Sequence, residues 1–355
     1  MTARTLLLTC CCSCLITSPS ANALSMTAEA SPKRITQQQQ HKILSTVKNF
    51  RPIVASSSSL IYRSANLDNL SLEDAERLLS GDAFCGNDSS SSSGGGGGSR
   101  NPRPLAAVID LRNSDEIQKG QKVRTEGAKY FYSQLLQNDG DIDIDATSNA
   151  GGPRLIHIPI LRDVDAFWDE AIGRMEPSER IAATLATAFR GGALDRAAAR
   201  NLERGGPASL YTVMMATAAR PIGMALEACV EESSQKGDGG GGGPVIFHCQ
   251  KGKDRTGVVA MLLQSCMGQG DDEIVEAYRL SGELLGGEDA TAASGGSDSD
   301  KSAGGMIDWS HFRGSPPSAM IDTLQWVRDR YGSIYAYLDA ASFDEEQRMA
   351  LRKAV

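Results

Sequence analysis

Short apolar runs bounded by chain-breaking residues alternate along this chain with longer segments whose apolar positions follow a helical period. The short runs are rich in aliphatic and β-branched residues, which predicts buried strands at 60–62, 105–111, 155–160 and 245–247. The helical period predicts helices at 71–79, 177–190, 207–230, 256–267 and 271–280, with two or three more within 318–353. Strands that alternate with helices are typical of an α/β fold, so we expect a central, largely parallel sheet flanked by helices.

The helical segment 207–230 carries apolar side chains on one face, among them Leu210, Val213 and Leu226. Proline lacks the amide hydrogen and its ring collides with the preceding turn, so Pro221 is expected to kink this helix. The sequence therefore predicts a bent helix ahead of the strand at 245–247.

Tracts dominated by glycine, serine and aspartate interrupt these segments near 87–100, 139–152, 237–243 and 286–305. Such tracts cannot bury enough apolar surface to offset the entropy lost on ordering, so each is predicted to be a mobile loop. Ahead of these tracts, the sequence predicts a leader and disordered segment over 1–45, for the reasons given in the next paragraph. A single catalytic domain is expected over 46–355, with the tracts as insertions.

The first residues of the chain have the pattern of a targeting segment. Arg4 precedes a short apolar stretch at 6–16, and Ala-Asn-Ala at 21–23 is a small-residue cleavage pattern. The stretch is too short to span a bilayer. No acidic residue precedes Glu29, and several basic residues follow it, so organelle import competes with secretion. A cytoplasmic location is the alternative if these residues have no targeting role.

The composition of the chain limits which classes of partner and cofactor are expected. The chain has 355 residues, 41% of them hydrophobic, and a formal net charge of −8, so its overall charge favours neither nucleic acid nor an anionic membrane as the main partner. Four of its eight cysteines lie in the first 14 residues, and the others lack the paired spacing of a metal site or a disulfide framework. We expect no metal or other cofactor.

The residues with evident chemistry are concentrated at 244–257. A predicted strand ends at His248, seven residues run from Cys249 to Arg255, and a predicted helix begins at Thr256. This order places successive backbone N–H groups and the positive end of a helix around one point. Such a nest binds the oxygens of a phosphate and stabilises the thiolate of a cysteine inside it.

The residue types in this loop predict a covalent phosphoryl transfer. Cys249 would attack phosphorus in line and form a phosphocysteine, which water then hydrolyses. Arg255 can present two parallel N–H donors to two phosphoryl oxygens, which a lysine cannot do. The other loop positions expected to surround the phosphate are Gln250, Lys251, Gly252, Lys253 and Asp254.

The sequence His-Cys-Gln-Lys-Gly-Lys-Asp-Arg-Thr-Gly at 248–257 resembles the Cys-x5-Arg phosphate loop of the protein tyrosine phosphatase superfamily. Its second half resembles a bacterial and lower-eukaryote group of tyrosine and lipid phosphatases. Further segments resemble the same family in the same order: Asn-Phe-Arg at 49–51, Ile-Tyr-Arg-Ser-Ala at 61–65, Val-Ile-Asp-Leu-Arg at 108–112 with Glu116, His-Ile-Pro at 157–159 and Ile-Val-Glu-Ala-Tyr at 274–278. One departure is Pro-Ile-Val at 52–54, where the family has Asp-Leu-Gly-Gly.

This resemblance spans roughly 48–352 and implies a phosphatase-like α/β fold. It also implies a cysteine-dependent phosphatase for phosphotyrosine. Phosphoserine, phosphothreonine and phosphoinositides are further substrate classes. A non-catalytic phosphate-recognition pseudophosphatase is the first alternative, and the intact Cys249, Asp254 and Arg255 argue against it. A sulfur-transfer or arsenate-reducing enzyme is the second alternative, and the segments at 49–51 and 61–65 argue against it.

The sequence leaves two locations for the general acid, a separate loop ahead of the cysteine or the phosphate loop itself. Many relatives use an aspartate on a separate loop ahead of the cysteine, but no aspartate occurs between Asp195 and Asp238. The resemblance implies that Asp254, inside the phosphate loop, protonates the leaving oxygen. Asp163 and Asp165 are reserve candidates, and Asp254 could instead pair with a basic residue to hold the loop.

The remaining candidates support the loop. His248 is predicted to be a buried donor that orients the surroundings of Cys249. Thr256 is expected either to donate to the sulfur or to cap the helix. Lys253, together with Lys251, is expected either to bind a second phosphate or to point to solvent. A structural ion network behind the site is predicted from three strand-end residues: Arg63, Asp110 and Arg112.

Overall fold

A mixed sheet forms the centre of the computed structural model, which describes residues 44–54, 59–84, 103–137, 152–234, 242–286 and 307–354. Within those residues the sheet has six strands. They are β1 (Arg51–Pro52), β2 (Ile61–Ser64), β3 (Ala107–Asp110), β4 (Leu136–Gln137), β5 (Arg154–His157) and β6 (Val245–His248). All four strands predicted from the apolar runs are therefore confirmed, with ends shifted by a few residues.

The strand order is β1-β2-β6-β3-β5-β4, and only β1 runs antiparallel to its neighbour. β6 lies between β2 and β3, so His248 is level with Ser64 on one side and Asp110 on the other. All four residues of β6 are buried. A parallel strand that is covered on both faces reads as a continuous apolar run, which is why period-2 alternation is absent here. The predicted α/β fold is confirmed.

Helices flank this sheet. They are α1 (Leu72–Ser80), α2 (Ser114–Gln121), α3 (Glu126–Ser133), α4 (Val164–Gly173), α5 (Pro177–Thr187), α6 (Ala193–Thr217), α7 (Ala219–Ser234), α8 (Arg255–Cys266), α9 (Asp271–Leu284), α10 (Pro317–Tyr331), α11 (Ile334–Ala340) and α12 (Glu345–Ala354). Short 3₁₀ turns occupy Asp82–Phe84 and Trp309–Phe312. The predicted helices are confirmed, and 318–353 forms three of them. The pattern missed α2, α3, α4 and the first half of α6, and α2 has one large apolar residue, Ile117, so it shows no apolar stripe.

The predicted helix 207–230 is bent once within its length. The axes of α6 and α7 differ by 86° across Ala218. Pro221 lies in the first turn of α7 and has no N–H to donate to the carbonyl of Thr217, so the kink predicted from this proline is confirmed, with the bend at Ala218 ahead of it. A second break lies just before the segment: Gly206 interrupts α6 with φ 58° and ψ −154°, so the helix restarts at Pro207.

Alternate strand residues face two apolar clusters. Ile61, Ile109 and Phe247 pack into the larger cluster with the helices from α4 onward. Tyr62 and Ile246, one residue along, pack into the smaller cluster with α1 and α3. The two-residue period of a strand therefore distributes one short run between two cores.

All described residues belong to one compact unit, Arg34–Val355. Residues 1–43 of the leader predicted over 1–45 and almost all of the four predicted insertions lie outside the described residues. Leu44 is buried and Ser45 donates to Asp74, so these last two residues of the predicted leader are part of the folded unit. Within the described part of the chain, no single helix is long and apolar enough to cross a membrane. The bent pair α6 and α7 would pass that test together, on length and composition alone.

Candidate active site

The loop 249–255 connects the carboxyl end of β6 to the first turn of α8, at the centre of the sheet. Cys249 is the first residue after the strand and is 2% exposed. Arg255 begins the helix, so the two candidate catalytic side chains lie at opposite ends of one tight turn. The predicted order of strand, loop and helix is confirmed, and ligands of open α/β sheets bind at this edge.

The carbonyl oxygens of the loop are held from outside. Asn49 Nδ2 and Arg63 Nη2 each donate to the carbonyl oxygen of Gly252 at 2.7 Å. The backbone N–H and Nδ2 of Asn66 donate to the carbonyl oxygen of Gln250 at 3.2 and 3.0 Å. Because the N–H of a trans peptide points opposite its carbonyl, these contacts turn the N–H groups that follow toward the inside of the loop. An anion nest requires this orientation.

The donors behind the loop are themselves buried and fixed. Arg51 donates to the carbonyl and side-chain oxygens of Asn49, to the carbonyl of Ala277 at 2.8 Å and to Ser281 Oγ at 2.9 Å. Burial lowers the pKa of Arg63 to about 10, and a thiolate at Cys249 opposes that shift. The segments at 49–51 and 61–65 therefore support the loop from behind.

Gly252 has a φ of +65°, in the left-handed region that favours glycine. A Cβ at this position would lie 2.1 Å from the carbonyl oxygen of Ser64, far inside a normal contact. The loop can therefore pack backbone to backbone against the end of β2 only with glycine here.

Arg255 is held by a carboxylate on α2. Its Nη1 and Nη2 donate to the two carboxylate oxygens of Glu116 at 2.5 and 2.6 Å. Glu116 also accepts from the backbone N–H of Asn113 at 2.9 Å, which closes the capping box of α2. Burial disfavours the Arg255 charge, but Glu116 and a thiolate at Cys249 outweigh it and raise the pKa of Arg255. The sequence analysis named Glu116 only as part of the family resemblance and did not predict this ion pair.

Asp254 is bound by a buried tyrosine that the sequence did not identify. Tyr211 donates its hydroxyl to Asp254 Oδ1 at 2.6 Å, and the hydroxyl groups of Tyr211 and Tyr278 lie 2.7 Å apart. Burial, with the Asp254 charge nearby, raises the pKa of Tyr211, so the residue stays a donor. Within the described residues Oδ2 of Asp254 makes no hydrogen bond, and 28% of the side chain is exposed.

Comparisons with known proteins identify the family of the chain. A sequence model of the tyrosine phosphatase family matches residues 100–355, which is most of the chain. The chain belongs to the tyrosine phosphatase family. It is also similar to a protein named tyrosine-protein phosphatase from Nostoc commune, with 30% identity over 115 residues. That match covers 31% of this chain and 38% of the Nostoc protein, so the chain spans well under two thirds of this relative.

Two residues beside the loop are fully buried. His248 lies with Nε2 3.8 Å from Asp110 Oδ2, and burial lowers its pKa, which favours the neutral ring. Thr256 is in the first turn of α8, and its Oγ1 makes no hydrogen bond within the described part of the chain. Neither helix capping nor donation to the Cys249 sulfur, the two roles predicted for Thr256, is therefore seen.

The Lys253 side chain was expected either to bind a second phosphate or to point to solvent, and the structure places it against backbone carbonyls instead. Its side chain is 1% exposed, and Nζ donates to the carbonyl oxygens of Phe312 and Gly314, both at 2.9 Å. Nζ also lies 3.8 Å from Asp254 Oδ1. The ammonium therefore ties the loop to the segment 307–315 and does not point to solvent. Two of its three N–H donors are thus used by backbone carbonyls, whereas Lys251 is exposed at the rim.

The reserve acids lie on another element. Asp163 caps α4 by accepting from the backbone N–H of Ala166 at 2.8 Å, and Asp165 is exposed in the first turn of that helix. Both line a cavity of about 510 Å³ between the segment 160–165 and the bend of α6 and α7. Within the described residues neither carboxylate is hydrogen-bonded to the loop 249–255.

Asp110 and Arg112 form the predicted ion network, in which Asp68 takes the place expected for Arg63. Arg112 is fully buried and donates to both oxygens of Asp110 and, at 2.5 Å, to Asp68 Oδ2. Arg63 is not part of this network, because its guanidinium binds the carbonyl of Gly252 instead. In the described segments, no group of three or more His, Cys, Asp or Glu side chains is placed to hold a metal ion.

The ion pair of Asp110 and Arg112 predicts how the stability of the protein depends on pH. Burial opposes the Asp110 charge, but His248 and Arg112 outweigh it and lower its pKa from 3.8 to about 2. Because the folded-state pKa is depressed, Asp110 stabilises the fold by about 2 kcal/mol above roughly pH 4, and this is lost as the pH falls through about 2. Urea unfolding of Asp110→Asn should show lower stability at neutral pH and a smaller acid-induced loss than wild type. The exposed Asp322→Asn is the matched control, and an unchanged acid-induced loss in Asp110→Asn would contradict the assignment.

Proposed function

We propose that this tyrosine phosphatase family member hydrolyses phosphotyrosine through a phosphocysteine intermediate, as in the group with Gly-Lys-Asp-Arg-Thr-Gly. Cys249 is the nucleophile, Arg255 binds the phosphoryl group and Asp254 is the general acid. The observation that carries the proposal is a loop with Cys249 and Arg255 at its ends and its carbonyl oxygens held from outside. Such a loop favours a trigonal phosphoryl group whose charge is spread over three oxygens.

The first step transfers the phosphoryl group to sulfur. The Cys249 thiolate forms the S–P bond while the bond from phosphorus to the tyrosine oxygen breaks, and its electron pair goes to that oxygen. Asp254 gives its proton to the leaving oxygen, so that tyrosine departs neutral. Since Tyr211 occupies Oδ1, the transferred proton is assigned to Oδ2.

The second step restores the enzyme. A water molecule attacks phosphorus, the S–P bond breaks, and the sulfur leaves as the thiolate. The Asp254 carboxylate accepts the proton that the water loses, which returns it to the acid form for the next turnover. Thr256 supports this step in the proposal, since its buried hydroxyl adjoins the loop and can donate to the departing sulfur.

Glu116 fixes the orientation in which Arg255 meets the substrate. The two contacts with Glu116 use one N–H of Nη1 and one of Nη2. The guanidinium has five N–H donors, so the edge formed by Nε and the other N–H of Nη2 stays available for two phosphoryl oxygens. His248 supports the loop in this scheme as a neutral ring beneath Cys249.

We propose that the phosphatase domain begins ahead of the matched region, near residue 46. The family model starts at residue 100, yet Asn49 and Arg63 donate to the carbonyl of Gly252 inside the loop. A domain without these residues would lack two of the donors that orient the loop.

Substrate range tests the proposal. We expect the full chain to hydrolyse a phosphotyrosine peptide with the highest kcat/KM in a panel that includes phosphoserine and phosphothreonine peptides and inositol lipids with one or two phosphates. A chelator should leave the rates unchanged. Tight binding of phosphopeptides with no turnover of any substrate would instead support the pseudophosphatase alternative.

Lys253→Met in the same panel separates loop anchoring from a second phosphate site. Because Nζ is bound to Phe312 and Gly314, the variant should lose kcat/KM in parallel on peptide and lipid, by roughly tenfold for two buried charge-assisted hydrogen bonds. Lys251→Met, at an exposed position of the same loop, is the control. A loss confined to the lipid in Lys253→Met would show that its ammonium binds a second phosphate.

A further inference from the structure

The hairpin formed by α5 and the start of α6 exposes large apolar side chains. Ile181, Leu185 and Phe189 follow one another at four-residue spacing, on α5 and the turn that continues it, so they share one face. Their exposed fractions are 61%, 67% and 90%. We call residues 180–194 the hairpin tip.

The polarity of α5 is inverted relative to an ordinary surface helix. None of its residues is buried, and alanine, in particular Ala183, packs toward the core. A surface helix normally turns its large apolar residues to the core and polar residues to water. A contiguous exposed patch of this kind marks a surface that another phase or molecule covers.

The charge around this patch is mainly positive. From Arg180 to Arg200 the chain has four arginines and one acidic residue, Asp195, although the whole chain has 44 acidic residues and a net charge of −8. Glu179, just before the tip, is engaged by both Nη atoms of Arg204 at 2.9 and 2.8 Å. Three exposed arginines at or near the tip make no ion pair within the described residues: Arg190, Arg196 and Arg200.

We propose that the hairpin tip docks on an anionic lipid surface. Ile181, Leu185 and Phe189 enter the boundary between headgroups and acyl chains, and the arginines around them contact lipid phosphates. The net negative charge of the rest of the molecule is repelled by the same surface, so the tip is the part that approaches it first.

The charge pattern favours a lipid surface over a second copy of this chain. A symmetric dimer through the tip would bring four arginines of 180–200 together from each copy, with only Asp195 from each copy as an acidic residue of that segment to pair with them. An apolar face rimmed by arginine matches the two layers of a membrane surface, acyl chains below and phosphates above.

The hairpin tip is separate from the phosphate loop. It does, however, include the start of α6, the helix that also carries a residue in contact with the loop. α6 runs from the tip to Tyr211, which binds Asp254. Within the described residues, the side-chain hydrogen bonds of the tip go to α4 and to α5 itself, and none goes to the loop 249–255. The docking proposal therefore does not depend on the proposed catalysis.

Co-sedimentation of the full chain with vesicles tests the proposal. Wild type should bind phosphatidylcholine vesicles that contain about one-fifth phosphatidylserine, and bind pure phosphatidylcholine far less. Added salt should weaken this binding. The triple variant Ile181→Ser, Leu185→Ser, Phe189→Ser should lose about tenfold or more in affinity, and Arg190→Glu with Arg200→Glu should lose binding to the anionic vesicles selectively.

A matched control removes three other exposed apolar side chains: Val123→Ser, Ile321→Ser and Met349→Ser. It should bind vesicles like wild type. All variants keep residues 1–45, so a difference between the two triples reports the tip alone, and unchanged circular dichroism and p-nitrophenyl phosphate turnover verify their folding. Equal vesicle binding by the tip triple and wild type would overturn the proposal. So would a concentration-dependent dimer that the tip triple abolishes in a protein that binds no vesicles.

Discussion

Cys249→Ser is expected to reduce turnover to background while the loop still binds phosphate or vanadate. A serine hydroxyl does not ionise near neutral pH, so it attacks phosphorus far more slowly than the thiolate does. We expect kcat to fall by about 10⁴-fold or more. The donors that orient the loop are unchanged, because Asn49, Arg63 and Asn66 bind carbonyl oxygens elsewhere in it. Initial rates with p-nitrophenyl phosphate and calorimetric titration with vanadate measure the two effects.

Cys266→Ala is the matched control for this result. Cys266 lies on α8, the helix that begins at Arg255, and burial raises its thiol pKa to about 12, so it is an inert thiol. Its replacement should leave turnover unchanged, and both wild type and this control should lose activity reversibly in mild peroxide. Metal-independent turnover that persists in Cys249→Ser would exclude the phosphocysteine mechanism.

Asp254→Asn should slow the hydrolysis of substrates with poor leaving groups far more than that of substrates with good ones. If Asp254 protonates the leaving oxygen, hydrolysis of a phosphotyrosine peptide should fall by about 10² to 10⁴-fold, while an activated aryl phosphate, which leaves without a proton, should lose little. Asparagine keeps an oxygen that can accept from Tyr211, so the loop should keep its shape. The comparison is the ratio of kcat for the two substrates in variant and wild type.

Asp163→Asn and Asp165→Asn are the controls for the acid. Asp163 caps α4 and Asp165 is exposed on that helix, so neither should show a dependence on the leaving group. An equal loss on both substrates in Asp254→Asn would assign Asp254 a structural role. A selective loss in either control would place the proton donor on the 160–165 segment.

The sequence predicted the parts of the site that depend on neighbours along the chain. A buried apolar run followed by a short glycine-containing segment and an apolar helix is a local signal, and it correctly located the loop between β6 and α8. The proline at 221 likewise located a bend, which lies at Ala218 because the missing N–H leaves the carbonyl of the preceding turn without a helical partner. The pattern failed for α2 because that helix has one large apolar residue, Ile117, and so shows no apolar stripe.

The sequence by itself determined the α/β fold, the position of the phosphate-type loop and the residue types it carries. Only the tertiary structure decided which side chains hold those residues. Glu116 reaches Arg255 across 139 positions, and Tyr211 reaches Asp254 across 43. Lys253 finds two backbone carbonyls on a segment about 60 positions later, and no residue type in the sequence marks a carbonyl as a partner. Local patterns arise from the periods of helices and strands, whereas these contacts arise from how the helices pack around the sheet, which those periods do not encode.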